Sequence, residues 1–220
     1  MPSGRGNKKK ELVDAAERLF SEKGYSNTSV DDICDEVGVA HGLFYYYFET
    51  KEKIIEAITN RMIHELENML TEIVDDTDLR ADEKFIRFMS TAFQRKKDKP
   101  YMVSYYNKEN DPKVYYQLFH KTVEMTTPYL TEIVEQGIKE GIFDTEYPEQ
   151  TIRFWLNGRM FFMNEDGLLD EGLLDDLKAE AFMLERLLDA KKPFLSEFYD
   201  RYDDEIYEFI EKARRDDQYE

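Results

Sequence analysis

"EVGVAHGLFYYYFETKEK", residues 36–53, sets a Gly-Val turn before five consecutive rings, Phe44 to Phe48, and then a Thr-Lys-Glu helix start. A wholly buried helix leaves three phenol hydroxyls without partners, and a wholly exposed one leaves five rings in water. The stretch therefore calls for a partner that takes hydroxyls. Glu36-Val37-Gly38-Val39 joins two short apolar-periodic segments, with Gly38 in the tight turn and Val37 and Val39 plugging the angle. That is the requirement of a helix-turn-helix.

A projecting second helix of this size fits the major groove of B-DNA, its first residues nearest the base edges. In helical register Phe44 and Phe48 lie four apart and pack inward with Val39, leaving Ala40, His41, Leu43, Tyr46 and Tyr47 outside and Tyr45 on one flank. Gly42 lets a backbone approach closely. A tyrosine at a groove edge lays its face on sugar and bonds a phosphate oxygen, which positions the protein without reading sequence. Lys51, in the first turn of the next helix, adds a cation where free N–H groups already favour an anion. Base reading then falls to His41, by hydrogen bonds, or to Leu43, against a thymine methyl.

Working outward, Leu12, Ala16, Leu19 and Phe20 form the stripe of a first helix that Gly24 ends. Thr28 or Ser29 caps a second, with Asp31 or Asp32 as capping-box partner and Val30, Ile33 and Val37 inward. Thr50 caps a fourth, on which Ile54, Ile58, Met62, Leu66, Met69 and Ile73 make one face. Its roughly 25 residues make a rod of about 38 Å. Further helices are expected near 81–97, 99–107, 111–140, 148–165, 173–190 and 194–215, with Pro128 kinking or splitting the 111–140 run. Strand-type alternation is missing, so the fold class is all-α.

The 220 residues are 41% hydrophobic and 14% aromatic, enough for a real core. One cysteine, Cys34, excludes a disulfide framework and a Cys-based zinc site. No secretory pattern opens the sequence and no apolar run approaches the ~18 residues of a membrane span, so a cytoplasmic protein without a membrane partner is expected. The net charge of −18 argues against coating nucleic acid without preference, but its distribution is uneven. Residues 1–53 hold eight Lys/Arg against ten Asp/Glu, a balance of −2, so −16 lies beyond them; residues 1–10 carry four basic side chains and no acid, a short cationic arm.

Leu12, Ala15-Ala16, Leu19-Phe20, Gly24-Tyr25, Thr28-Ser29-Val30, Ile33, Gly38-Val39, Gly42, Phe44-Tyr45, Tyr47-Phe48 and Thr50-Lys51-Glu52 together closely resemble the N-terminal DNA-binding domain of the TetR family of bacterial transcriptional regulators. The likeness runs without a gap over roughly residues 8–54. It implies a three-helix DNA-binding domain (1–53, with the basic arm) joined by a long helix to a helical ligand-binding and dimerisation domain (54–220). It also implies phosphate contacts from Tyr45, Lys51, Thr28 and Ser29, and groove contacts from Ala40, His41, Gly42, Leu43, Tyr46 and Tyr47. Two departures stand out: Ala40 replaces the usual Ser or Thr opening the third helix, and Asp31 would repel phosphate if it faced DNA.

The resemblance further implies a homodimer and a small-molecule effector. Phe154, Trp155, Leu156, Met160, Phe161, Phe162 and Met163 ring the 148–165 helix, so it needs burial on all faces, as a two-fold helix bundle supplies. Phe154, Phe161, Phe182, Leu184 and Leu188 are the candidate dimer contacts. A cavity is expected among the helices between 81 and 165, walled by Phe85, Phe88, Met89, Phe93, Tyr105, Tyr115, Phe119, Met125, Trp155 and Met163. Arg159 either meets an anionic ligand there or pairs across the dimer, and Glu165 is a second unusual charge. From Lys192 an added helix carries Phe194, Phe198, Tyr202, Ile206, Phe209 and Ile210 on one stripe.

The expected function is a repressor released by a small molecule from a near-palindromic double-stranded operator. An activator, or a regulator answering to a protein, uses the same parts. An enzyme is disfavoured, because His41, His64 and His120 are far apart and no nucleophile elbow, phosphate loop, metal motif or cofactor signature occurs.

Overall fold

The computed structural model describes residues 4–25, 27–98, 112–162 and 173–202, with 204, 205 and 208. Among them every regular element is a helix: α1 (Gly4–Lys23), α2 (Val30–Val37), α3 (His41–Tyr47), α4 (Lys51–Asp75), α5 (Ala81–Asp98), α6 (Pro112–Lys139), α7 (Pro148–Phe162), α8 (Leu173–Leu187) and α9 (Leu195–Arg201). The expected all-α class is observed. The helix expected at 99–107 lies outside the described residues. Two compact units divide the chain, and α4 belongs to the first through Leu66 and to the second from Glu67.

In the first unit α1 to α3 and the start of α4 close around Leu12, Ala16, Phe20, Ile33, Phe44, Ile54 and Ile58, all fully buried. Gly24 adopts φ 79° where α1 ends. Ser29 caps α2 as a true capping box, its hydroxyl accepting from the Asp32 amide at 3.0 Å while the Asp32 carboxylate accepts from the Ser29 amide at 2.8 Å. Gly38 ends α2 at φ 66°. There the Gly38 amide donates to Asp35 O at 3.1 Å and the Val39 amide to Cys34 O at 3.0 Å, a bond pair that turns the chain sharply into α3. Arg61 ties α4 back to α1 through Asp14 and Glu17. The helix α1 already begins at Gly4, so most of the expected cationic arm is helical, and Lys8 pairs with Glu11.

The second unit packs α5 to α9 around a ring cluster in which Phe85 meets Phe143, Trp155 and Phe194 at centroid distances of 5.9, 6.4 and 5.8 Å. Lys84 is buried with its ammonium donating to Val74 O at 2.6 Å and Gln136 Oε1 at 2.8 Å, joining the end of α4 to α5 and α6. Pro128 does not split α6, which runs unbroken through it, the ring lying on an exposed side. Gly137 is required by close approach, since a Cβ there would stand 2.2 Å from Phe143 Cδ2 and 2.9 Å from Ala81 Cβ. Glu185 of α8 is buried, and its Oε1 reaches the start of α9, accepting from the amides of Phe194, Leu195 and Ser196 at 2.8, 2.7 and 2.9 Å. The added C-terminal segment thus enters the core: Phe194, Leu195, Phe198 and Tyr199 are buried, while Tyr202 is exposed and Ile206, Phe209 and Ile210 lie outside the described residues. Burial pushes the Tyr199 hydroxyl well above its ordinary range, with Arg159 opposing and Glu180 adding to the rise.

Candidate nucleic-acid interface

The turn at Gly38 sends α3 outward with two unlike faces. Phe44 and Phe48 are 0% and 3% exposed in the core, as their four-residue spacing requires, whereas Tyr45 and Tyr46 are 55% and 69% exposed. His41, Gly42 and Ala40 are also exposed, Leu43 is half-buried, and Tyr47 is half-buried against the core with its ring 5.0 Å from Tyr46. A Cβ at Gly42 would meet nothing within 4 Å, so its backbone is open to approach from outside. Ala40 stands at the N-cap of α3 without a side-chain bond, the consequence of its missing hydroxyl.

The acidic residues of α2 are mostly answered from within the domain. Glu36 pairs with Arg18, Asp32 with Lys23, and Asp31 Oδ1 lies 3.2 Å from His41 Nε2 across the turn. Bonds from the Ser29 hydroxyl and amide hold the Asp32 carboxyl down at about 2. The Asp31–His41 contact joins residues ten apart, and hydrophobic periodicity gives no sign of it.

Thr28, Lys51 and Ser29, also expected at phosphate, each make bonds within the domain. Thr28 is 1% exposed and its hydroxyl donates to Leu19 O at 3.3 Å and Gly24 O at 2.8 Å; the expectation that it touches phosphate is corrected, because the hydroxyl seals the end of α1 instead. Lys51 directs its ammonium to Tyr25 O at 2.8 Å and Thr28 O at 3.1 Å, with the Tyr25 ring 3.9 Å from Nζ. Ser29 is exposed, but its hydroxyl is the α2 cap. Cys34 is fully buried, and burial pushes its thiol up, which suits a small packing group rather than a reactive one.

In the second unit, Phe85, Phe88, Met89 and Trp155 are buried, Phe119 and Met125 half-buried, and the side chains of Phe93, Tyr105, Tyr115 and Met163 lie outside the described residues. Arg159 pairs with Glu180 of its own chain and lies 5.0 Å from the Trp155 ring; Glu165 lies outside the described residues. A groove of about 720 Å³ between α6 and α7 is lined by polar residues, among them Glu132, Glu135, Lys139 and Arg153, and by none of the expected pocket residues.

Of the candidate dimer contacts, Phe154 and Phe182 are 69% and 54% exposed, while Leu184 and Leu188 are fully buried in their own chain and are corrected to core. The Phe161 side chain lies outside the described residues. Sequence reasoning missed Tyr147, Met183 and Leu187, which are exposed as well. Within one chain α7 is not buried on all faces, since Arg153, Phe154 and Asn157 are exposed.

A turn that buries one face of α3 and turns its tyrosines and histidine outward defines a helix-turn-helix DNA-binding regulator. Residues 12–58, from α1 into α4, match the model of the bacterial regulatory proteins of the tetR family. It is 28% identical over 148 residues to the HTH-type transcriptional repressor KstR2 of Rhodococcus jostii, covering 66% of this chain and 72% of that one. It is 37% identical over 87 residues to the HTH-type regulator YvdT of Bacillus subtilis, covering 39% of this chain and 41% of the relative. The structure of RolR in complex with resorcinol shares the fold, with a TM-score of 0.64 at 15% identity over 91% of this chain and 97% of RolR.

Proposed function

We propose that the chain is a homodimeric repressor that holds a near-palindromic operator through α3 and is released by a small organic effector bound in the second unit. The observation that carries this reading is the division of α3, with Phe44 and Phe48 in the core and Tyr45, Tyr46 and His41 outside. In this reading Tyr45 and Tyr46 bond phosphates, His41 and Leu43 meet base edges, and Ala40 and Gly42 admit the groove wall. Exposed Phe154 and Phe182 support a second copy as partner, since a two-fold pair reads half-sites roughly 34–36 Å apart or somewhat wider. The repressor KstR2 and the resorcinol held by RolR support an effector-released repressor. An effector regulates only if it binds one arrangement of the second unit better than another. Because α4 contributes to both units, it is a covalent route for that bias.

The test is selection of bound duplexes from a random library by the full chain, followed by a screen for compounds that release the selected site. A near-palindrome bound by two copies is the expected result. A wild-type chain that enriches no sequence sinks the reading.

A further inference from the structure

We propose that Asp31 determines which bases His41 accepts, by fixing the imidazole as a hydrogen-bond acceptor toward the groove. This rests on the reading that α3 enters the major groove. Asp31 Oδ1 stands 3.2 Å from His41 Nε2, joining the first turn of α2 to the first residue of α3. Both side chains are open to solvent, at 71% and 52%. Ala40, the α3 N-cap, has no hydroxyl to compete for either group. The neighbouring carboxylates do not substitute for Asp31: Asp32 is held by Ser29 and Lys23, and Glu36 by Arg18.

A carboxylate only accepts, so the proton of a neutral His41 sits on Nε2, and Nδ1 is left with a lone pair. The second Asp31 oxygen also accepts. The pair therefore presents acceptors to the groove. Cytosine N4 and adenine N6 are the donors on the major-groove edges, whereas guanine N7 and O6 and thymine O4 only accept. Asp31 thus selects cytosine or adenine at the position that His41 reads, and the same carboxylate repels phosphate wherever His41 does not engage a base. This gives a role to the acidic residue that is otherwise out of place on a DNA-facing helix. Asp31 is a positioning residue, acting through His41.

The experiment is in vitro selection with the full chain at about pH 8, where an ordinary imidazole is neutral. Wild type is compared with His41→Ala, Asp31→Asn and Asp31→Glu, all at exposed positions, with folding checked by circular dichroism. His41→Ala identifies the dependent base position. Wild type and Asp31→Glu are expected to favour cytosine or adenine there over guanine or thymine by about fivefold, the lower end for a good base contact. Asp31→Asn, whose amide both donates and accepts, should flatten that preference while tightening binding to every sequence. Guanine or thymine preferred by the wild type, no position dependent on His41, or an Asp31→Asn chain that gains affinity uniformly with its preference intact each overturns the inference. A wild type that binds no sequence selectively overturns the DNA-binding reading itself.

Discussion

The Lys51 ammonium stands 3.9 Å from the centroid of the Tyr25 ring and donates to the carbonyl oxygen of the same residue at 2.8 Å. A cation held by two carbonyls and a ring closes the end of α1 against the start of α4, and Tyr25 completes the link by donating its hydroxyl to Glu52 Oε1 at 3.2 Å. Lys51→Met keeps the stem and removes these bonds. It should cost about 1 kcal/mol of stability, discounted for the half-exposed site, and leave the salt dependence of operator binding unchanged. A lysine on a phosphate would instead reduce the salt slope by about one, so measuring binding across a salt series decides between the two roles.

The capping box gives α2 a defined acid limit. The Asp32 carboxyl titrates at about 2 in the folded chain against an ordinary 3.8. A depressed carboxyl contributes stability that is complete above the ordinary value and disappears as pH falls through the folded one, so this contribution fades between 3.8 and about 2. Ser29→Ala removes the largest cause, and carbon NMR titration should show Asp32 moving back toward 3.8. A midpoint unchanged in the variant would contradict the assignment.

Gly137 marks the tightest approach in the second unit. Gly137→Ala drives a Cβ to 2.2 Å from the Phe143 ring, which is itself wedged against Phe85 and Phe194. A loss of about 3 kcal/mol is expected, at the upper end for overpacking. Combining it with Phe143→Leu should recover part of the loss in denaturant unfolding, and strict additivity of the two changes would argue against the contact.

Phe154 and Phe182 expose large rings on α7 and α8. The double variant Phe154→Glu, Phe182→Glu should elute as a single chain by light scattering and lose operator affinity by about a hundredfold or more, because each half-site then binds alone. Leu184→Ala, by contrast, should lower stability by about 2–5 kcal/mol without being specific to association, as expected of a fully buried side chain. A double variant that remains dimeric would place the interface elsewhere.

What could be read in advance was what local chemistry specifies. Gly24 and Gly38 end helices because a left-handed residue is cheap only there, and the four-residue step from Phe44 to Phe48 defines the inward face of α3. Side-chain direction was not legible where two uses share one residue type. The Thr28 hydroxyl and the Lys51 ammonium suit phosphate and carbonyl equally well, and only the folded chain brings Leu19, Gly24 and Tyr25 to them. Periodicity marked α8 as apolar but could not divide it, since Leu184 and Leu188 obey the same spacing whether they face their own core or another chain. The pairings Asp31–His41 and Arg159–Glu180 escaped for a simpler reason: Asp31, His41 and Arg159 stand out singly, but each pair links separate helices and opposite charges are too common for the partner to be chosen.

Glu185 has a practical consequence for anyone shortening this protein. Its carboxylate is solvated by the peptide that follows Pro193, with the Ser196 hydroxyl adding a further donor at 2.9 Å. Cutting the gene at that proline would strip a buried anion of its whole shell and empty the space of Phe194. The tail should therefore be kept through α9 in any expression design.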